Sequence, residues 1–504
     1  MRTTSWLTCA CAMLALAASG WGQMPTNVQV NPPSTSPFLA NAQAEPAIAQ
    51  NPVNPLNLVV VAMDFSDTPP CPDLAVTFCH FANVSSAGYY ASFDGGVTWP
   101  CHGLLPVGAL GWAEFDPSVA FDSRGNAYYG ALSSDNGGLA DVMVAKSTDG
   151  GCTFASASLA SGTAPAAINT TPRCCSGQNA DVPDVAADTN PGSPFRDNVY
   201  AAWTQYSFAF NPPAGFDVVF ARSTDGGTTW SNAANLGTSS KSGDFKRGAP
   251  RIGVGTDGAV YVVWFDADSS GTEILMAVSY DGGKTFPAKN ITVARVTDDL
   301  SPEPVCCLSG RGIPSLTISR NGNLYVGWSN YTNGHGIVQM TKSSDRGQTW
   351  SAPAVAADIP GRSAQWSAIA ADPSNKVDVV FVGLDELPGG LLRGPGTAYY
   401  DAYFVQSNDG GATFSAPLKI TNVSSDPGAS SRNYLPFKFV GDYIGLAADS
   451  RGGGLFAVWT DTRNASRCAA VDALRDSGGP PVNVIAQCPL AFGNNDIFMG
   501  KVTY

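Results

Sequence analysis

The chain has 504 residues, only 14% of them charged, and carries a formal net charge of −13 with a pI near 4.6. An acidic chain with no basic run excludes nucleic acid and anionic membrane surfaces as partners. Gly (54) and Pro (36) are plentiful and hydrophobic residues reach 44%, which suits many short strands joined by turns and excludes disorder.

The first element in chain order is a targeting segment. Arg2 gives a positive start, 7–18 is an apolar run too short to span a bilayer, and Ala18-Ser19-Gly20 or Gly20-Trp21-Gly22 offers small residues for cleavage. Residues 1–22 are expected to be a signal peptide and 23–504 a single exported domain, extracellular or periplasmic, with no transmembrane helix. Cys9 and Cys11 fall in that segment, leaving ten of the 12 cysteines in an oxidising destination where disulfides are the default. Cys71/Cys79 and Cys468/Cys488 are candidates to pair within their own insertions. Cys174-Cys175 and Cys306-Cys307 are vicinal, and either bond to each other or pair elsewhere. Zinc is the weaker reading, because no Cys-x-x-Cys occurs and only His80, His102 and His335 are present.

Beyond the segment a unit recurs seven times: Pro-x-apolar-x-x-Asp or a close variant, a turn, then an apolar strand ending in a polar residue. The copies open at Glu45, Asp116, Val182, Ala249, Ile313, Trp366 and Tyr443. Their β-branched and aromatic alternation marks inner hairpins of two strands. A third strand then runs into a second pattern, Ser-x-Asp-x-Gly-x-Thr-(Trp/Phe), which stands six times, at 92–99, 147–154, 223–230, 279–286, 343–350 and 407–414. Its Asp accepts hydrogen bonds from nearby backbone N–H groups, and its Gly supplies a conformation other residues resist. Each copy predicts a stiff turn between a third and a fourth strand. The seventh unit ends at 496–504 without such a turn, and the strand-like run 26–31 is available to complete it. The prediction is all-β, with seven four-stranded blades in a β-propeller closed by N- and C-terminal strands. A helix is expected only near 469–476.

The second pattern is that of the Asp box, or BNR repeat, and through it the chain resembles the sialidase superfamily of β-propellers. In that family the Asp box sits at the rim, away from the active site. The resemblance therefore implies that Asp94, Asp149, Asp225, Asp281, Asp345 and Asp409 staple the fold. Asp-box turns and inner-hairpin turns are expected on one face, and functional residues on the other, near the central channel. Strand ends there supply Asp64, Asp266, Asp385 and Asp461, with Glu386. Connections between blades add Glu45, Glu114, Asp184 and Glu303. Paired carboxyls serve glycosidase chemistry, and a ring of them equally suits Ca²⁺. Arg251, Arg311 and Arg463 share that face and suit carboxylate recognition.

Sialidases hold the sialate carboxylate with three arginines, one of them in a Phe-Arg-Ile-Pro motif opening the first blade. Here Glu45 stands at that point, and Arg311-Gly312-Ile313-Pro314 is similar to the motif but lies in the fifth unit. Sialidases also carry a nucleophilic Tyr opening their last blade, activated by a Glu from another blade. Tyr443 occupies the corresponding place; Glu303 is then the candidate activator and Asp64, or Asp67, the candidate acid. Trp203, Trp264, Trp328 and Trp459 recur at one repeat position and are expected in the core, whereas Trp112, Tyr206, Phe208, Phe210 and Trp366 are the aromatics available to stack on sugar. The expectation is a monomeric glycan-directed protein, either a divergent exo-glycosidase or sialidase-like hydrolase or a carbohydrate-binding module, with no cofactor. The alternatives are a non-catalytic scaffold for protein or matrix binding and a Ca²⁺-stabilised binding module.

Overall fold

The computed structural model describes residues 25–33, 42–66, 68, 84–106, 112–113, 115–134, 140–160, 180–206, 216–237, 247–268, 271–296, 313–332, 335–385, 398–431, 438–477 and 482–504. These form seven antiparallel sheets of four strands, arranged as the blades of a β-propeller. The first blade runs outward through Gln43–Gln50, Leu58–Asp64, Ala87–Ser92 and Cys101–Leu104. In the second, the innermost strand is split into Trp112–Ala113 and Ser118–Phe121, both paired with Ala127–Ser134. The expected closure is present. The seventh blade consists of Gly445–Ala448, Gly454–Asp461 and Asp496–Thr503, and its outer strand is Asn27–Gln29, with Val28 opposite Met499.

Second strands are apolar without alternation because each blade is covered on both faces by its neighbours. All residues of Leu58–Asp64 and of Gly454–Asp461 are buried. Trp203, Trp264, Trp328 and Trp459 are fully buried at one register position, opposite Val219, Leu275, Gln339 and Phe498. Their recurrence therefore reflects packing between blades.

The six Ser-x-Asp-x-Gly-x-Thr turns share one hydrogen-bond pattern. In the first, Ser92 Oγ donates to Asp94 Oδ1 at 2.8 Å, Thr98 Oγ1 donates to Oδ2 at 2.6 Å, and the Val97 and Thr98 amides donate to Oδ1 at 2.9 Å. These donors hold the carboxyls of Asp94, Asp225, Asp281, Asp345 and Asp409 down at about 2, and that of Asp149 is lowered too. The Gly shared by the six turns also sets the seam between blades. A Cβ on Gly96 would lie 2.2 Å from Met499 of the seventh blade, and one on Gly347 2.2 Å from Met276 of the fourth. Each turn thus seats on the inner strands of the preceding blade, with Gly151 against Val59 and Gly227 against Tyr128 of second strands, and the others against third strands. Asn57, in the first inner hairpin turn, donates to the carbonyls of Ser92 and Gly150, which places hairpin turns and Ser-x-Asp turns on one face.

The seventh blade has no such turn, and Tyr504 fills the seat. Its ring stacks on Phe404 at 5.9 Å, in the position that Met276 and Met340 hold in their blades, and its hydroxyl donates to Asp378 Oδ2. Gln406 Nε2 donates to Asp378 Oδ1 at 2.8 Å, and Lys376 lies 5.0 Å from the Tyr504 ring. Burial pushes the Asp378 carboxyl up to about 6 despite these bonds. A carboxyl raised in the folded state favours folding when protonated. Its contribution is complete below the unfolded value of 3.8 and is lost as pH rises through about 6. Thermal unfolding between pH 4 and 8 should therefore show a decline in the wild type, of order 2 kcal/mol from this group, that is flattened in Asp378→Asn. Equal declines in both proteins would assign the pH dependence elsewhere.

Two disulfides lie among the described residues. Cys468–Cys488 pairs as expected and closes an insertion bearing the helices Ala469–Ser477 and Val484–Gln487. Cys101–Cys152 joins the first blade's outer strand to the second blade's turn. Cys71, Cys79, Cys174, Cys175, Cys306 and Cys307 lie outside the described residues. No helix among the described residues is long and apolar enough to cross a membrane.

Candidate functional site

The seven Pro-x-apolar units converge on the axis. Residue x of each innermost strand lines one cavity of about 180 Å³, and the sequence round that ring, from Ala47 to Gly445, is Ala, Ser, Asp, Arg, Ser, Ala, Gly. Two of the seven carry charge, Asp184 and Arg251, and they come from adjacent blades. At roughly 30 Å³ per water the space corresponds to about six waters, on the scale of one sugar residue.

The residues that open the units form a second ring. In four blades the ladder carries one extra residue here, between Ala44 and Ala47, Asp181 and Asp184, Gly248 and Arg251, and Gln365 and Ala368. Glu45, Asp116, Val182, Ala249 and Trp366 adopt left-handed backbone, with φ of 57°, 53°, 43°, 50° and 51°. L residues resist that conformation at about 1–3 kcal/mol each, and a following Pro disfavours the right-handed helical alternative for Glu45, Asp116, Val182 and Ala249. Bulges re-aim side chains at strand ends, and here they do so around one axis. The seventh, first and second members of this ring are Tyr443, Glu45 and Asp116, neighbours once the propeller closes.

Tyr443 is half-buried and lines the cavity, and Arg251 lies over its ring with Cζ 5.8 Å from the centroid. Burial, then the carboxylates of Glu45, Asp116 and Asp442, push the phenol well above its ordinary range, and Arg251 opposes them. Glu45 is 4% exposed and is fixed from behind, since a Cβ on Gly441 would lie 2.6 Å from its Cγ. Asp116 Oδ2 accepts from the Val182 amide at 3.1 Å. Asp184 Oδ2 accepts from the Ile252 amide at 2.7 Å; burial raises its carboxyl and Arg251 pulls it back. Among the described residues Arg251 makes one hydrogen bond, from Nη1 to the Pro250 carbonyl at 2.9 Å, which leaves Nε and Nη2 available.

Of the residues singled out from sequence, Tyr443, Arg251, Glu45 and Asp184 come together, and Asp116 and Asp442 join them. Glu303, Arg311, Glu114, Glu386 and Asp67 lie outside the described residues. The strand-end acids are held locally. Asp64 accepts from Gln43 Nε2 at 2.8 Å, from the Ser66 amide at 2.9 Å and from the Tyr90 hydroxyl. Asp266 sits in the ladder opposite Arg247 and Glu273. Asp385 pairs with Arg362 at 2.8 Å, which also binds Asp401 at 2.8 Å. Asp461 is fully buried and accepts from Trp459 Nε1 at 3.0 Å and from Arg463 Nε and Nη2 at 2.9 and 2.8 Å. Arg463 stacks on Phe498 at 3.9 Å and reaches Asn27 and Asn422. It ties the closing strand. Trp366 is buried in the core between the sixth and seventh blades and is not exposed for stacking on sugar as the sequence suggests. The side chains of Trp112, Tyr206, Phe208 and Phe210 are outside the described set. No group of three or more His, Cys, Asp or Glu among the described residues is placed to hold a metal ion.

Fold and site together define a seven-bladed propeller with a polar axial cavity. No family model and no curated protein matches the sequence. Among solved structures it is similar to a protein of unknown function from Dyadobacter fermentans, at 11% identity and TM-score 0.46, covering 95% of this chain and 98% of that one. It is similar to a leech intramolecular trans-sialidase bound to 2,7-anhydro-Neu5Ac, at 12% identity and TM-score 0.44, covering 70% and 67%. A polysaccharide lyase of family PL25, an ulvan lyase, is similar at 11% identity and TM-score 0.44, covering 86% and 93%.

Proposed function

We infer that the protein is a glycan-directed propeller that holds one terminal sugar residue in the axial cavity, with Tyr443 and Arg251 as its principal contacts. The observation that carries this reading is the convergence of a phenol, a guanidinium with available donors and the Asp184 carboxyl on one cavity of monosaccharide scale. Walls that mix apolar side chains with a few convergent polar groups suit a small polar ligand. Tyr443 stays a neutral phenol at pH 7, so it serves as a hydrogen-bond donor as it stands. Nucleophilic attack on an anomeric carbon requires a carboxylate to take its proton as the sugar binds. Glu45, the carboxylate with the largest effect on that phenol, is the described group suited to receive it; Glu303 keeps its place as a candidate activator and Asp64 as a candidate acid.

A panel of fluorogenic glycosides, sialosides included, and a glycan array test this reading on wild type and Tyr443→Phe. Turnover or binding of at least one glycan is expected, weakened at least tenfold in the variant, about 1.4 kcal/mol at 25 °C. Turnover would make the protein a glycosidase, and array binding alone would make it a lectin-like module. A response unchanged in Tyr443→Phe, or no response from either protein, would move the site away from the axis and favour a non-catalytic scaffold.

A further inference from the structure

We propose that Asp184 and Arg251 together read two neighbouring hydroxyls of a neutral sugar residue, one donating to the carboxylate and the other accepting from the guanidinium. This rests on the glycan-directed reading above and names its substrate class. Both side chains line the axial cavity, and they hold the same repeat position on adjacent blades, the third and the fourth. Among the described residues no ion pair joins them, although Arg251 is near enough to pull against the burial that raises the Asp184 carboxyl. Opposite charges sharing a cavity of low dielectric close on each other unless each is held elsewhere. Here each is held. Asp184 is clamped from both neighbouring blades: the Ile252 amide of the fourth donates to Oδ2 at 2.7 Å, and Ser118 Oγ of the second donates to Oδ1 at 3.5 Å. Ser118 is itself fixed, accepting from the Val185 amide at 2.7 Å. Arg251 is tied through Nη1 to the Pro250 carbonyl and laid over the Tyr443 ring of the seventh blade. An acceptor and a donor thus line one space without satisfying each other. A carboxylate only accepts and a guanidinium only donates, and both retain capacity: Asp184 has lone pairs beyond those two bonds, and Arg251 has Nε and Nη2. A ligand with a single charge satisfies one of them and repels the other. Adjacent hydroxyls, each both donor and acceptor, satisfy both and bring no charge into the cavity.

The test is calorimetric titration of the full protein with methyl glycosides of the gluco, galacto and manno series, and with analogues of each lacking one hydroxyl in turn. L-alanine serves as a zwitterionic control. In whichever series binds, removing either of two adjacent hydroxyls is expected to weaken binding about tenfold or more, because a buried polar group then loses its partner. Removing any other hydroxyl should cost less than about threefold. Asp184→Asn keeps an oxygen for the Ile252 amide and loses an acceptor toward the ligand, so it should bind the parent sugar about tenfold more weakly. In that variant the penalty for removing one of the two hydroxyls should fall below about threefold, while the penalty for its neighbour persists. Unchanged affinity in Asp184→Asn, or a loss that leaves both penalties intact as a merely structural role would, overturns the proposal. A single sensitive hydroxyl in the wild type, or two that are not adjacent, likewise overturns it and leaves the glycan reading standing. Alanine binding more tightly than every sugar would assign the two charges to an amino acid and overturn it too. Failure of every sugar to bind, in every series, would overturn the glycan reading itself, and the deoxygenated series on wild type keeps the two failures distinct even if Asp184→Asn does not fold.

Discussion

Asp461→Ala is expected to destabilise the protein by about 3–5 kcal/mol, seen as a lower denaturation midpoint in urea. The carboxyl is fully buried and accepts four hydrogen bonds, from the Trp459 indole, the Arg463 amide and two guanidinium nitrogens of Arg463. Removing it strands a guanidinium that is 14% exposed and pressed against Phe498, and an unpaired charge there costs more than the pair contributed. The damage extends past that pair. Arg463 also reaches Asn27 at 3.2 Å and Asn422 at 2.8 Å, and Asn27 belongs to the strand that closes the ring. The double variant Asp461→Ala/Arg463→Ala is expected to recover part of the loss because the orphaned charge is gone. Should the double variant be no more stable than Asp461→Ala, the pair would be acting through packing alone.

Trp264→Ala should cost a similar amount, about 3–5 kcal/mol, for a different reason. Its side chain is 0% exposed and packs in a cluster that spans the third and fourth blades, with Tyr200, Phe220 and Leu236 on one side and Val260 and Val262 on the other. Truncation leaves a cavity that strands in a closed ring cannot collapse to fill. Trp264→Phe separates packing from hydrogen bonding. The Trp264 indole N–H has no acceptor among the described residues, whereas those of Trp203 and Trp459 donate to Gln205 and Asp461 at 2.9 and 3.0 Å. Trp264→Phe should therefore destabilise less than Trp203→Phe or Trp459→Phe, by about 1 kcal/mol in paired urea melts. Equal losses at all three positions would show that the two bonded indoles gain nothing from their partners.

The architecture was legible because a propeller repeats its sequence as it repeats its shape. Seven Pro-x-apolar units gave the blade count, and the missing turn after 496–504 pointed to Asn27–Gln29 as the closing strand. Part of the site was legible for the same reason. Tyr443, Glu45 and Asp116 hold one repeat position in the seventh, first and second units, and a closed ring makes those units neighbours. Reading along the chain separates Tyr443 from Glu45, and only reading round the ring joins them. The strand-end acids could not be sorted this way. Whether Asp461 faces solvent or a buried indole depends on side-chain register two residues away, which the repeat does not encode. The left-handed backbone at Val182 and Trp366 was equally hidden, because no residue type there advertises it.

The seat that Tyr504 takes on Phe404 gives the ring a weak join with a definite location. Six joins are made by a turn built into the chain and indifferent to pH above about 4, since their aspartates stay ionised there. The remaining join rests on a phenol, a glutamine and a buried acid whose ionisation works against it as pH rises. A hoop fastened in this way does not loosen evenly. It parts like a split washer, with each blade intact and the gap between the sixth and the seventh. Tyr443 opens the seventh blade, so weakening of the Asp378 join as pH rises through about 6 would breach the cavity wall beside the residue that contacts its ligand.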